Sequence, residues 1–124
     1  MGFLRNQSAS TSGVLGDWQH LRSEDDLNAA EEQSKTKPVV LFKHSTTCGT
    51  SAYALSRLRE LEQSDAYTFY YLDLLAYRSV SNEISARYGV IHQSPQIIIL
   101  KDGKATFDTS HHAISAQVVA QNIR

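Results

Sequence analysis

Cysteine is nearly absent from this chain: one residue, Cys48, in 124. A single thiol excludes an internal disulfide framework and a zinc site built from thiolates alone. It suits a reducing compartment, so the cytoplasm is the expected location. Neither charge dominates, with 12 basic and 13 acidic side chains and a formal net charge of -1. That balance gives no reason to expect a nucleic acid or an anionic membrane surface as partner. The opening "MGFLRNQSAS" lacks the apolar core of a signal peptide, and Asn6 stands where a myristoylation signal would have Ser or Thr. No apolar run is long enough to cross a bilayer. What remains is a length sufficient for one domain closed on a single hydrophobic core, with no need of disulfides or a structural metal.

Residues 5–13, "RNQSASTSG", are small, polar and aperiodic. Residues 1–13 are therefore expected to be a flexible lead-in, and 14–124 the folded domain. "VLGDWQHL" reads as a short strand around Trp18. Ser23 is a good N-cap, because Glu24, Asp25 and Asp26 follow at the positive end of the helix dipole. That helix should stop before Pro38, where "PVVLFKH" begins a buried strand. From Cys48 the spacing turns helical, with Ala52, Leu55, Leu58 and Leu61 as the expected stripe. "YTFYYLDL" returns to strand composition. Ser79 is expected to open a further helix, with Val80, Ile84 and Tyr88 on one face and Gly89 just past its end. "QIIIL", Asp102-Gly103 and "KATF" carry the pattern of a hairpin. Ser115 can cap a last helix, with Ile114 and Val119 spaced as a hydrophobic staple. The order is β-α-β-α-β-α-β-β-α, which calls for a mixed central sheet with helices on both faces, a three-layer α/β sandwich.

In that layout Cys48 lies past the carboxyl end of a central strand, at the first turn of a helix, where open α/β sheets place their ligands. The unpaired amides of Gly49, Thr50 and Ser51, with the helix dipole, favour an anion there, so the thiol should ionise more easily than a free one. The Ser51 hydroxyl can donate a further hydrogen bond to the sulfur. The alternative is a small buried hydrophobe, and the polar flanks in "TTCGTS" argue against it. Lys43 and His44 precede the thiol, but their direction cannot be read from the sequence. Ser94-Pro95 stands immediately before the strand "QIIIL", where a proline costs no ladder donor. Spacing alone leaves its peptide isomer open.

Taken together, "KHSTTC" with Ser51, "GVIHQSPQ" and "SHHAIS" resemble the YtxJ-type monothiol bacilliredoxins, a thioredoxin-like family. The likeness runs from about Trp18 to the C-terminus. The family usually has proline and isoleucine where this chain has Gly49 and Thr50, and glutamate where Gln93 stands. The resemblance implies a thioredoxin-like sandwich and an enzyme of redox homeostasis and stress response. Its activity would be removal of a small thiol, bacillithiol, from mixed disulfides on client proteins. Cys48 would be the nucleophile, while Thr47, Ser94 and Pro95 would hold the substrate. No bound cofactor or metal is implied; the small thiol is a co-substrate, and S-thiolated proteins are the partners. With no second cysteine at position 51, an external thiol must release Cys48. The oligomeric state stays open.

Two other functions fit parts of the sequence. "CGTS" also resembles monothiol glutaredoxins that carry iron–sulfur clusters, and a thioredoxin-fold adaptor with an idle cysteine is the other alternative. The histidines (His20, His44, His92, His111 and His112) repeat no metal-ligand spacing, and His111 is expected to serve structurally at the entry to the last helix. Tyr67, Phe69, Tyr70 and Tyr71 are expected in strand core and cover rather than as a nucleobase platform, since no basic groove accompanies them.

Overall fold

The computed structural model describes residues 18–62 and 64–124. The lead-in expected over residues 1–13, and the expected start of the domain at 14, lie outside them. The elements are β1 (Gln19–His20), α1 (Glu24–Gln33), β2 (Val39–His44), α2 (Gly49–Leu58), β3 (Thr68–Asp73), α3 (Arg78–Tyr88), β4 (Gln96–Lys101), β5 (Lys104–Ser110), a single 3₁₀ turn at His111–Ala113, and α4 (Ala116–Asn122). The sheet order is β1-β3-β2-β4-β5. The first three strands in that order are parallel; β4 runs antiparallel to β2, and β5 antiparallel to β4.

Continuous apolar runs in β2 and β4 make sense because both faces of the sheet are covered. On one face, Val40, Phe42, Phe69, Ile97 and Ile99 pack with Ala54 and Leu58 of α2 and Val119 of α4. On the other, Val39, Leu41, Leu72, Ile98 and Leu100 pack with Leu27 and Ala30 of α1 and Val80 and Ile84 of α3. Tyr67, Phe69 and Tyr70 are buried core residues, as their strand composition suggested.

The ends of the elements follow local chemistry. Ser23 Oγ accepts from the Asp26 amide at 3.1 Å, and Ser115 Oγ from the Val118 amide at 3.1 Å. Ile114 and Val119 are both fully buried in the same cluster, as a staple across the α4 start requires. Gly89 ends α3 at φ 65, and Asp102 and Gly103 turn the hairpin at φ 54 and 79.

Some expectations need correction. The stripe that α2 buries is Ser51, Ala54 and Leu58, with Leu61 beyond the helix end; Leu55 is half-buried and Ala52 faces solvent. Contact with the sheet, not the count of every third residue, fixes which face turns inward. Helix α3 begins one residue before Ser79, with Tyr77 at its N-cap and no side-chain cap bond. Strand β5 continues past "KATF" to Ser110, because Ser110 still pairs with Gln96.

Candidate active site

Three chain crossings meet at the carboxyl edge of β2. The first is the turn Ser45–Cys48 into α2. The second is the start of β4, since Lys43 pairs with Gln96 and the strands run oppositely. The third is the 3₁₀ turn after β5, which is tied in by the His111 amide donating to the Pro95 carbonyl at 3.1 Å. Cys48 and Ser94-Pro95 therefore share one sheet edge, and the Ser94-Pro95 peptide is cis.

Cys48 occupies the N-cap of α2 in an extended conformation, with φ -105 and ψ 125. Its amide donates to the Ser45 carbonyl at 3.2 Å and its carbonyl accepts from the Ala52 amide at 3.0 Å. The side chain is partly exposed. The thiol is held below its ordinary range first by the Ser51 amide and then by the Thr50 amide; burial pushes weakly the other way, and the Thr50 and Ser51 hydroxyls add to the lowering. Gly49, expected as a third donor, does not contribute. A side chain at the N-cap faces the amides two and three residues on rather than the next one, although the Cys48 side chain closes no cap hydrogen bond. An added Cβ at Gly49 would meet nothing within 4 Å, so neither packing nor backbone angle demands glycine there.

Ser51 is fully buried one turn into α2. Its hydroxyl oxygen accepts from the Ser45 amide at 3.2 Å, which leaves its proton free for the sulfur. Thr47 is exposed beside Cys48, with its hydroxyl 3.5 Å from that of Ser45. His44 and Lys43, whose directions could not be read, point to opposite faces of the sheet. His44 lies among the rings of Phe42 and Tyr71, at 5.5 and 5.6 Å, and burial lowers its pKa against an opposing pull from Asp73. Lys43 enters the α1/α3 face, toward Ser81, Ser85 and His92. The thiolate is thus favoured by backbone dipoles rather than by a cation. Among the described residues, no three His, Cys, Asp or Glu side chains group as metal ligands.

These features narrow the chemistry to one accessible, easily ionised thiol with serine where a dithiol protein has its second sulfur. Residues 19–119 match the family described as monothiol bacilliredoxin BrxC. The chain belongs to the monothiol bacilliredoxin family. A solved structure described as a candidate oxidoreductase with a thioredoxin fold superposes on the bacilliredoxin with TM-score 0.77 and 29% identity, covering 87% of this chain and 95% of the other. Reduced thioredoxin from Schistosoma mansoni gives TM-score 0.67 and 26% identity, over 86% and 94%. Malassezia sympodialis thioredoxin gives 0.68 at 17%, over 86% and 88%, a likeness of fold alone. The fold is thioredoxin-like and the family's role is in thiol redox chemistry.

Several features of this edge escaped the sequence reading. Two buried polar atoms, His44 Nδ1 and Ser94 Oγ, have no hydrogen-bond partner among the described residues. Large apolar side chains are exposed on three segments: Ile91 is 81% exposed in the loop before Ser94, Leu75 is 48% exposed just past the end of β3, and Tyr53 is 48% exposed on α2. A cavity of about 440 Å³ is lined by Leu61, Tyr67 and Ala120 at the opposite edge, and none of Cys48, Ser94 and Pro95 lines it. No helix among the described residues is long and apolar enough to cross a membrane.

Proposed function

We propose that this bacilliredoxin removes a low-molecular-weight thiol, bacillithiol, from mixed disulfides on client proteins. The observation that carries this reading is the Cys48 thiol: partly exposed, at the start of α2, and held below its ordinary pKa by the Ser51 and Thr50 amides. The Cys48 thiolate attacks the small thiol's sulfur in the mixed disulfide. A Cys48–small-thiol disulfide forms, the old disulfide breaks, and the client sulfur leaves as a thiolate that takes a proton from water. A second small-thiol thiolate then attacks the small-thiol sulfur of the adduct, yielding the small-thiol disulfide and regenerating the Cys48 thiolate. Ser51 has no sulfur with which to do this internally.

Ser94 and Pro95 would hold the substrate alongside Thr47. Pro95 carbonyl is engaged by His111, whereas no backbone group among the described residues pairs with the amide or carbonyl of Ser94. The exposed side chains of Ile91, Leu75 and Tyr53 suit a protein client more than a small molecule alone. A lone reactive thiol suits the reducing cytoplasm as its place of work. The iron–sulfur alternative rests on the Cys-Gly-Thr-Ser spacing alone, and the family match does not favour it.

The test is a single-turnover reaction with a protein carrying one bacillithiol mixed disulfide, followed by intact mass. The expected result is transfer of one bacillithiol to Cys48 for each client thiol freed, and no transfer with Cys48→Ser. Retention of bacillithiol on the client, or transfer undiminished in Cys48→Ser, would overturn the proposal.

A further inference from the structure

Lys43 has no solvent exposure. Its side chain leaves β2 on the face that also takes Val39 and Leu41, where an aliphatic residue would continue the core. Its Nζ lies 3.4 Å from the Ser81 carbonyl, 3.4 Å from Ser85 Oγ and 3.2 Å from His92 Nδ1. The ion pairs among the described residues involve Lys35 and Arg87, and none reaches Lys43. A buried ammonium without a counter-ion is costly, and burial indeed lowers its pKa to about 8. Stability gives no reason for a lysine here.

Its partners offer one. Across the sheet Lys43 pairs with Gln96, itself buried. Gln96 Nε2 donates to the Ile91 carbonyl at 3.0 Å, and its Oε1 accepts from the Gln93 amide at 3.3 Å. Lys43 Nζ meets the ring of His92, the residue between them. Directly opposed residues in an antiparallel pair project to the same face. Two neighbouring side chains therefore grip three successive residues of an otherwise exposed, irregular segment, and that segment runs straight into Ser94 and Pro95. The neutral His92 ring presents Nδ1 as acceptor to the ammonium, and Ser81 Oγ lies 3.4 Å from the same atom.

We propose that Lys43 is a positioning residue: through His92, and beside Gln96, it fixes the 91–95 segment relative to Cys48 so that a mixed disulfide can be recognised. This rests on the reading that Ser94 and Pro95 hold the substrate.

The experiment compares Lys43→Met, His92→Leu and His92→Asn with the unaltered chain in three measurements. These are amide hydrogen exchange over residues 90–94, the rate of reaction with a bacillithiolated client at limiting client, and the rate of Cys48 alkylation by iodoacetamide. Lys43→Met and His92→Leu are expected to exchange about tenfold faster over the segment and to react about tenfold more slowly with client, because the anchored state opens locally. Alkylation should stay within about twofold, since the amides at the thiol are untouched. His92→Asn, whose Oδ1 can replace Nδ1 as acceptor, should restore both affected rates. His92 is largely exposed, so its variants remain informative if Lys43→Met folds poorly. Unchanged exchange in both disruptive variants, failure of His92→Asn to rescue, or a parallel fall in alkylation would overturn the inference. If the unaltered chain fails to react with client at all, the proposed function falls, while hydrogen exchange still decides whether Lys43 anchors the segment.

Discussion

The sulfur of Cys48 takes the place that a Ser, Thr or Asp oxygen fills at an ordinary helix N-cap. An oxygen there serves the helix by accepting its second and third amides. The sulfur of Cys48 closes no such cap hydrogen bond, but the nearby Thr50 and Ser51 amides lower the free energy of the thiolate. The Ser51 hydroxyl plays two parts, accepting from the Ser45 amide and adding weakly to the lowering of the thiol pKa. Ser51→Ala should move the midpoint of Cys48 alkylation upward, slightly, since the stronger backbone contacts survive. It should also cost about 1–2 kcal/mol of stability, because the Ser45 amide loses its acceptor. A pH titration of alkylation and a urea melt check the two effects, and a midpoint that falls would contradict the hydroxyl's role. The thiol was legible from its polar flanks and its place after a strand. The Lys43–Gln96 grip was not, because it depends on strand register and on which loop folds back over that face. One clue lay in the sequence: a lysine inside a run buried on both faces is rare enough to ask what it touches.

At the scale of the elements, the capping residues were read most directly. Ser23, Ser115 and Gly89 announce helix ends through chemistry confined to a few neighbouring residues. The inward face of α2 was not so local, and its burial of Ala54 rather than Ala52 depends on how the helix lies against β2 and β4. The β4–β5 hairpin combines both kinds of information. Its turn is fixed by Asp102 and Gly103 at positive φ, and both amides dock on α1, donating to the Ser34 carbonyl at 2.6 Å and to Ser34 Oγ at 2.8 Å. A methyl group at Gly103 would meet nothing within 4 Å. Gly103→Ala therefore carries only the backbone penalty of a left-handed residue, about 1–2 kcal/mol. Urea unfolding should show that loss while Cys48 alkylation at pH 7 stays unchanged, because the turn lies at the sheet edge away from the thiol. A change in alkylation would mean that the two edges are coupled.

For the whole molecule, the strand order decides what can meet. Parallel β1, β3 and β2 end at one edge, and antiparallel β4 begins there. That arrangement brings Cys48, the Ser94-Pro95 peptide and the turn after β5 together from distant parts of the chain. The alternation of strands and helices was enough to foresee a mixed sheet covered on both sides. The exposure of Ile91, Leu75 and Tyr53 emerges only once the loops are in place. A net charge near zero gives the molecule little long-range electrostatic steering, so its proposed choice of clients rests on short-range contacts.

All of this depends on the ionisation of one sulfur, which the pH dependence of Cys48 alkylation in the folded protein reads directly. The alkylation rate follows the thiolate fraction, which rises as pH passes upward through the thiol pKa; a lowered pKa therefore moves the half-maximal rate to lower pH. The expected profile has its midpoint below that of a free cysteine, about 8.5, and shifts up to the free value in urea. A midpoint at or above the free value in the folded protein, or a thiol that reacts only after unfolding, would contradict it.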